Sequence, residues 1–151
     1  MSHALFMREA LIEAQKAAVK GEVPIGAVVV WKDEVIGRGY DLRESLCDAS
    51  AHAEILAMRK AAKHLGDWRL NDATLYVTVE PCAMCAGAIV QFRINRLVYG
   101  APNAKSGSVD TILNIVQEAR FNHRVEVIAG ILEDQCKEII QNFFRELRKN
   151  K

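Results

Sequence analysis

The sequence predicts a three-layer α/β/α domain over residues 1–151, with a five-stranded mixed sheet covered by helices on both faces. Three observations carry this. Short apolar runs rich in β-branched residues alternate with longer stretches of helical periodicity. Their order is helix, strand, strand, then helix and strand in alternation to a closing helix, which implies a largely parallel sheet. The first two strands are joined too tightly for a crossover, so that pair is antiparallel and the sheet is mixed.

Residues 2–20 place Leu5, Leu11, Ile12 and Val19 at helical spacing among Arg8, Glu9, Glu13, Lys16 and Lys20. Gly21 can stop that helix. Glu22-Val23-Pro24 is a loop, since proline has no N–H for a strand interior. Gly26–Trp31 is a β-branched run suited to a strand buried on both faces. Lys32-Asp33-Glu34 is a polar turn, and Val35–Tyr40 a second strand. Gly26 is either a turn glycine or a point where a substrate lies against the main chain. Residues 41–50 form a polar connection, in which Asp48 or Ser50 is available to cap the helix starting at His52. Gly66 ends that helix. Ala73–Val79 reads as a strand, Ala83–Gln91 as a helix and Arg96–Gly100 as a short strand. A loop over Pro102–Gly107 leads to a short helix over Val109–Glu118, a last strand over Val125–Ile131 and an amphipathic helix over Glu133–Leu147.

The composition is that of an ordinary globular chain, 50% hydrophobic and 26% charged. A net charge of +1 excludes a global basic field directed at nucleic acid, so any such binding must be local. No apolar run approaches the roughly 18 residues of a membrane span. The N-terminus is amphipathic rather than continuously apolar, so a cytoplasmic protein with no membrane partner is expected.

Cys82 and Cys85 form a C-x-x-C pair at the head of a helical pattern, and His52-Ala53-Glu54 opens another. The two thiols are metal ligands, a redox pair or simply two buried thiols; Cys47 and Cys136 have no partner at ligand spacing. Cys82 and Cys85 share a helix face, being three residues apart. His52 and Glu54 converge only on a point off the end of their helix. Pro81 suits a helix start, so two helix N-termini would face one ion, and their positive ends favour thiolates. His52, Cys82 and Cys85 make three ligands, and three ligands with an open position characterise catalytic rather than structural zinc. One zinc per protomer is expected, able to acidify a bound water. Glu54, beside the site but not needed as a ligand, suits general acid–base work. Taken alone, it would be a surface glutamate favourable to a helix dipole.

His52-Ala-Glu54 followed by Pro81-Cys82-Ala-Met-Cys85 is similar to the signature of the zinc-dependent cytidine and adenosine deaminases. The likeness covers nearly the whole chain. Glu22-Val-Pro-Ile-Gly-Ala-Val-Val-Val, Ala51-His-Ala-Glu-Ile, Ala73-Thr-Leu-Tyr-Val-Thr-Val-Glu-Pro-Cys, Asn122-His-Arg-Val and Phe143-Phe-Arg all resemble bacterial tRNA-specific adenosine deaminases. The resemblance implies a cytidine deaminase-like fold and a homodimer that converts the wobble adenosine of a tRNA anticodon to inosine. It implies zinc-activated attack at C6, with Glu54 carrying the proton. It places Ile25, Gly26, Asp41, Ala53 and Pro81 near the target nucleoside, and Lys105, Asn122, His123 and Arg124 near the RNA.

The closing segment holds Arg145, Arg148, Lys149 and Lys151 against one glutamate, and Arg145 and Arg148 are expected to meet the anticodon stem-loop. The adjoining Phe143 and Phe144 read either as the apolar face of a helix or as platforms for a base. Three departures stand out: Asp41 where the family usually has Asn, Asp48-Ala49-Ser50 where it has Asp-Pro-Thr, and Asn103 where many relatives have Asp. An ionised Asp accepts hydrogen bonds and cannot donate them. Two readings therefore remain besides the tRNA enzyme. One is a deaminase of a free base such as guanine or cytosine, whose N–H donors suit an acidic acceptor. The other is a structural zinc module, which would have no use for Glu54.

Overall fold

The computed structural model describes residues 2–150. The elements are α1 (His3–Val19), β1 (Gly26–Trp31), β2 (Glu34–Tyr40), α2 (Arg43–Leu46), α3 (Ala53–Leu65), β3 (Thr74–Val79), α4 (Ala83–Gln91), β4 (Arg96–Ala101), β5 (Glu126–Ala129) and α5 (Glu133–Lys149). They form a five-stranded sheet in the order β2-β1-β3-β4-β5. Lys151 of the basic tail lies outside the described residues.

The sheet is mixed, as expected, but not largely parallel. β1 is antiparallel to both β2 and β3, whereas β3–β4 and β4–β5 are parallel. The cause is the hairpin. Lys32 and Asp33 both have positive φ, which is the geometry of a tight two-residue hairpin turn. β1 then sits between β2 and β3, the two strands that α3 connects.

Alternate residues of each strand face opposite layers. Val29, Leu75, Val77 and Leu97 pack with Ala57, Met58 and Ala61 of α3 and Ile89 of α4. Val28, Val30, Tyr76 and Val98 pack with Phe6, Met7 and Ala10 of α1 and Cys136 of α5. Two glycines set how closely the helices approach. A Cβ on Gly39 would stand 2.4 Å from the carbonyl oxygen of Ala53, at the first turn of α3. A Cβ on Gly26 would stand 2.1 Å from the carbonyl oxygen of Ala10. The main chain of Gly26 is thus approached by α1.

Three local expectations fail. Arg43–Leu46 forms a short helix inside the polar connection. Neither Asp48 nor Ser50 caps α3: Asp48 accepts from Ser50, and the N-cap residue is His52, whose ring caps nothing. Residues 109–118 form turns instead of a helix. The N–H groups of Val109, Asp110 and Thr111 are donated to the Glu80 carboxylate, and those of Ile112 and Ile115 reach back beyond the i−4 position to Gly107 and Ser108.

Candidate active site

β3 ends at Val79, and Glu80-Pro81 carry the chain to Cys82, the N-cap residue of α4. His52 holds the same position on α3. Both have extended backbones, and neither side chain turns back to bond its own helix. Both side chains are therefore free to leave the helix ends, and there they meet. His52 Nδ1 lies 3.6 Å from Cys82 Sγ and 3.4 Å from Cys85 Sγ. The three ligand atoms all lie within 4.8 Å of one another.

This triangle fits zinc. A Zn–S bond of about 2.3 Å and a Zn–N bond of about 2.0 Å at a tetrahedral angle hold N and S about 3.5 Å apart. The His–Cys distances bracket that value. The three groups also perturb one another. The hydrogen bond from Cys85 pulls the Cys82 thiol down to about 3, although burial opposes this, and His52 adds to the pull. The same contact and burial push Cys85 up. The bond to Cys82 raises His52.

Glu54, in the first turn of α3, is 4% exposed. Burial pushes its carboxyl up to about 7, against the lowering effect of its backbone hydrogen bond. A carboxyl with a pKa near neutrality can both take and return a proton at working pH.

A cavity of about 500 Å³ opens in front of these groups. His52, Ala53, Glu54 and Cys82 line it together with Ile25, Asp41 and Arg43. The loop from Pro102 to Ser106 supplies further lining residues. Lys137, Ile140, Gln141 and Phe144 add one face of α5. The volume lies in the range of small-molecule sites, and apolar side chains such as Ile25, Ala53 and Phe144 alternate with charged and polar ones such as Asp41, Arg43, Glu54 and Lys105.

Of the residues expected to touch substrate, Ile25, Asp41, Ala53 and Lys105 line this cavity. Gly26 and Pro81 adjoin it without lining it: Gly26 donates its N–H to Thr78 Oγ1, and Pro81 accepts from Ser108. Asn122, His123 and Arg124 lie elsewhere. His123 Nε2 sits 2.7 Å from the carbonyl oxygen of Ile94, before the start of β4, whereas the cavity lies at its far end by Ala101. Arg145 and Arg148 are on α5 but do not line the cavity; Arg145 bonds Asn142. Lys137, Gln141 and Phe144 stand there instead. Their spacing marks them as one helix face, but which face meets the site depends on how α5 packs.

Two buried carboxylates that the sequence reading passed over hold the cavity walls. Glu22, 2% exposed, accepts from Glu44 N, Ser45 N and Ser45 Oγ, tying down α2. Glu80, 1% exposed, accepts from Asn103 N at one end of the loop and from the amides of 109–111 at the other. Each is buried without a cation in contact, so hydrogen bonds must satisfy it.

A model of the MafB19-like deaminases matches residues 1–148. The chain is 54% identical over 147 residues to the tRNA-specific adenosine deaminase of Bacillus subtilis (strain 168), covering 97% of this chain and 91% of that one. It is 50% identical over 146 residues to the tRNA-specific adenosine deaminase of Streptococcus pyogenes serotype M1, covering 97% and 85%. Its fold matches a solved structure from studies of A-to-I editing by tRNA:A34 deaminases at the wobble position of transfer RNA, with a TM-score of 0.87 and 44% identity over 91% of this chain and 99% of that one. A guanine deaminase structure from Bacillus subtilis matches with a TM-score of 0.65 and 30% identity over 75% and 83%. A site built on the starts of two helices, in a fold shared along almost its whole length with these enzymes, makes this chain a member of the MafB19-like deaminases, on the branch of the tRNA-specific adenosine deaminases.

Proposed function

We propose that this protein hydrolytically deaminates the wobble adenosine of a tRNA anticodon, releasing ammonia and leaving inosine. The observation that carries the reading is the placement of Glu54, buried beside a His–Cys–Cys triangle of zinc dimensions, at the base of a nucleoside-sized cavity. His52, Cys82 and Cys85 would hold one zinc per protomer, and the ion would supply a water acidified enough to attack carbon. Glu54 takes the proton of that water. It delivers that proton to the purine N1 as the water oxygen bonds to C6, then takes the proton of the new C6 hydroxyl and passes it to the amine, so that the C6–N bond breaks, ammonia departs and the C6 carbonyl remains. Ile25 and Ala53 give the base an apolar slot. Lys105 offers its ammonium group to phosphates at the mouth, where the RNA backbone must pass once the base has entered, and Lys137, whose Nζ pairs with Glu133 at 2.7 Å, can exchange that partner for a phosphate. An anticodon loop suits this cavity because its bases are already unstacked from a duplex.

A free-base deaminase is the second reading, and Asp41 favours it as an acidic group in the cavity wall. The geometry weighs against it: both Asp41 oxygens are already engaged by Arg43. The homodimer that the family resemblance implies would have exposed apolar side chains such as Met84, Ile112 and Leu113 available to cover. A tRNA substrate would place the enzyme in the cytoplasm; no helix of the described residues is long and apolar enough to cross a membrane. The test is incubation with a stem-loop carrying adenosine at the wobble position, in parallel with free adenosine, guanine and cytosine, reading inosine and ammonia. Turnover of guanine or cytosine, with none of the stem-loop, would replace this function with the second one. Sedimentation at the assay concentration tests the dimer.

A further inference from the structure

The loop that forms one wall of the cavity has almost no regular structure, yet it must hold Asn103 and Lys105 at fixed positions against the substrate. Within itself the loop is closed at one end only. Asn103 Oδ1 accepts the N–H groups of Lys105 and Ser106, its Nδ2 donates to Ser106 Oγ, and its carbonyl accepts Gly107 N. Ser108 Oγ donates to the Ser106 carbonyl, but the N–H groups of Val109, Asp110 and Thr111 have no partners within the loop.

Glu80 supplies them. Its Oε1 accepts Asn103 N at 3.1 Å and the Thr111 hydroxyl. Its Oε2 accepts Val109 N at 3.1 Å, Asp110 N at 2.8 Å and Thr111 N at 3.0 Å. One carboxylate therefore clasps both ends of the loop. Next to it, the Pro81 carbonyl accepts Ser108 N at 2.9 Å. The loop is seated directly on the segment that leads into Cys82. Gly107 shows how closely: a Cβ there would fall 2.5 Å from Glu80 Oε1.

We propose that Glu80 is a positioning residue for the RNA substrate: it holds loop 103–111 in the shape that presents Asn103 and Lys105 to the nucleotides around the target base. The inference rests on the tRNA reading for its substrate, but the loop geometry stands apart from it. An ionised carboxylate is suited to the task because it only accepts, and every group aimed at it donates. A glutamine of the same shape must turn its NH2 toward one end of the loop, setting donor against donor. That end is released, while Glu54 and the three ligand side chains are untouched.

The test uses the zinc-loaded full chain and its Glu80→Gln variant. Amide hydrogen exchange at Val109, Asp110 and Thr111 should speed up by about tenfold or more, with β1 and β3 unchanged, as expected for local rather than global opening. KM for the stem-loop should rise by about tenfold while kcat falls less than about threefold, since loss of substrate positioning outside the reacting atoms appears mainly in binding. Zinc content should not change. Gly107→Ala is the second variant: its methyl group would fall 2.5 Å from both Glu80 Oε1 and the Asn103 carbonyl oxygen, so the loop and the carboxylate must part and both effects should appear even if Glu80→Gln folds poorly. Unchanged exchange at 109–111 in both variants overturns the proposal. So does loss of zinc from Glu80→Gln, which would show that Glu80 acts through Cys82. If the unmodified protein does not turn over the stem-loop, the tRNA reading fails, and the exchange data still decide whether Glu80 holds the loop.

Discussion

Arg43 grips both carboxylate oxygens of Asp41. Its Nε lies 3.1 Å from Oδ1, its Nη2 lies 2.9 Å from Oδ2, and its own backbone N–H donates to Oδ1 at 3.0 Å. The Asp41 side chain is 3% exposed and that of Arg43 40%. The acidic residue that departs from the family pattern therefore comes with its own counter-charge. The pair forms part of the cavity wall, and the carboxylate presents little unpaired negative charge to a base.

Asp41→Asn should leave adenosine the preferred base and change kcat/KM for the stem-loop by less than about tenfold, the scale of one neutral hydrogen bond. Arg43→Ala should destabilise by about 1–2 kcal/mol, because it removes the counter-charge of a buried carboxylate; the loss is less than for a fully buried pair, since the Arg43 side chain is 40% exposed and the backbone N–H of residue 43 still reaches Oδ1. Combining the two should recover part of the Arg43→Ala loss, and thermal unfolding of the four proteins measures that coupling. Strict additivity would show that the two side chains act independently.

Cys85→Ala should lose metal and turnover together. With one thiolate gone, only His52 and Cys82 remain of the triangle, and two ligands hold zinc poorly. Metal analysis after gel filtration checks this. A fully metallated, active variant would overturn the ligand assignment.

Glu54→Gln should keep zinc and fold but reduce deamination by at least about 100-fold, the scale of general acid–base catalysis. Because burial places the carboxyl at about 7, the amide loses proton transfer without exposing a new charge. Near-normal turnover in a single-turnover assay would assign the proton to another group.

Removing Lys137 and truncating residues 148–151 should have different effects on RNA binding. Lys137 lines the cavity, whereas Arg148 and Lys149 do not. Lys137→Ala should make the salt dependence of stem-loop binding shallower by about one phosphate contact, and the truncation should have the smaller effect. Binding titrations across salt concentrations decide. The reverse order would return the main electrostatic contact to the tail.

Glu22 links stability to pH. Burial raises its carboxyl, but the hydrogen bonds from Ser45 and Glu44 outweigh that, so its pKa in the folded protein lies below the ordinary value. A depressed carboxyl stabilises above its unfolded pKa and loses that contribution as pH falls through the folded one. Glu22→Gln should therefore cost about 1–3 kcal/mol at neutral pH, the scale of hydrogen bonds to a charged group. The difference should begin to shrink as pH falls below the ordinary glutamate value of about 4.3, and vanish once it has dropped through the lower folded value. Denaturant unfolding across pH measures it, and a pH-independent difference would assign the effect to packing.

The sequence by itself determined the strands, the main helices, and the His52, Cys82 and Cys85 set that the fold brings together as a candidate metal site. These are properties of residue type and short spacing: β-branched runs make Gly26–Trp31 and Thr74–Val79, and Cys82 and Cys85 share one turn. Family resemblance then selected the branch that the comparisons show. Tertiary structure alone decided what depends on distant segments meeting. It set β1 between β2 and β3, and so made the sheet half antiparallel. It turned Val109–Glu118 from a helix into a loop, because Glu80 takes the amides at its start. It aimed Lys137 and Phe144, rather than Arg145 and Arg148, into the cavity, since helical periodicity defines faces but not their direction. It also joined Arg43 to Asp41. A carboxylate's charge is legible in one letter, but its partner depends on the fold around it.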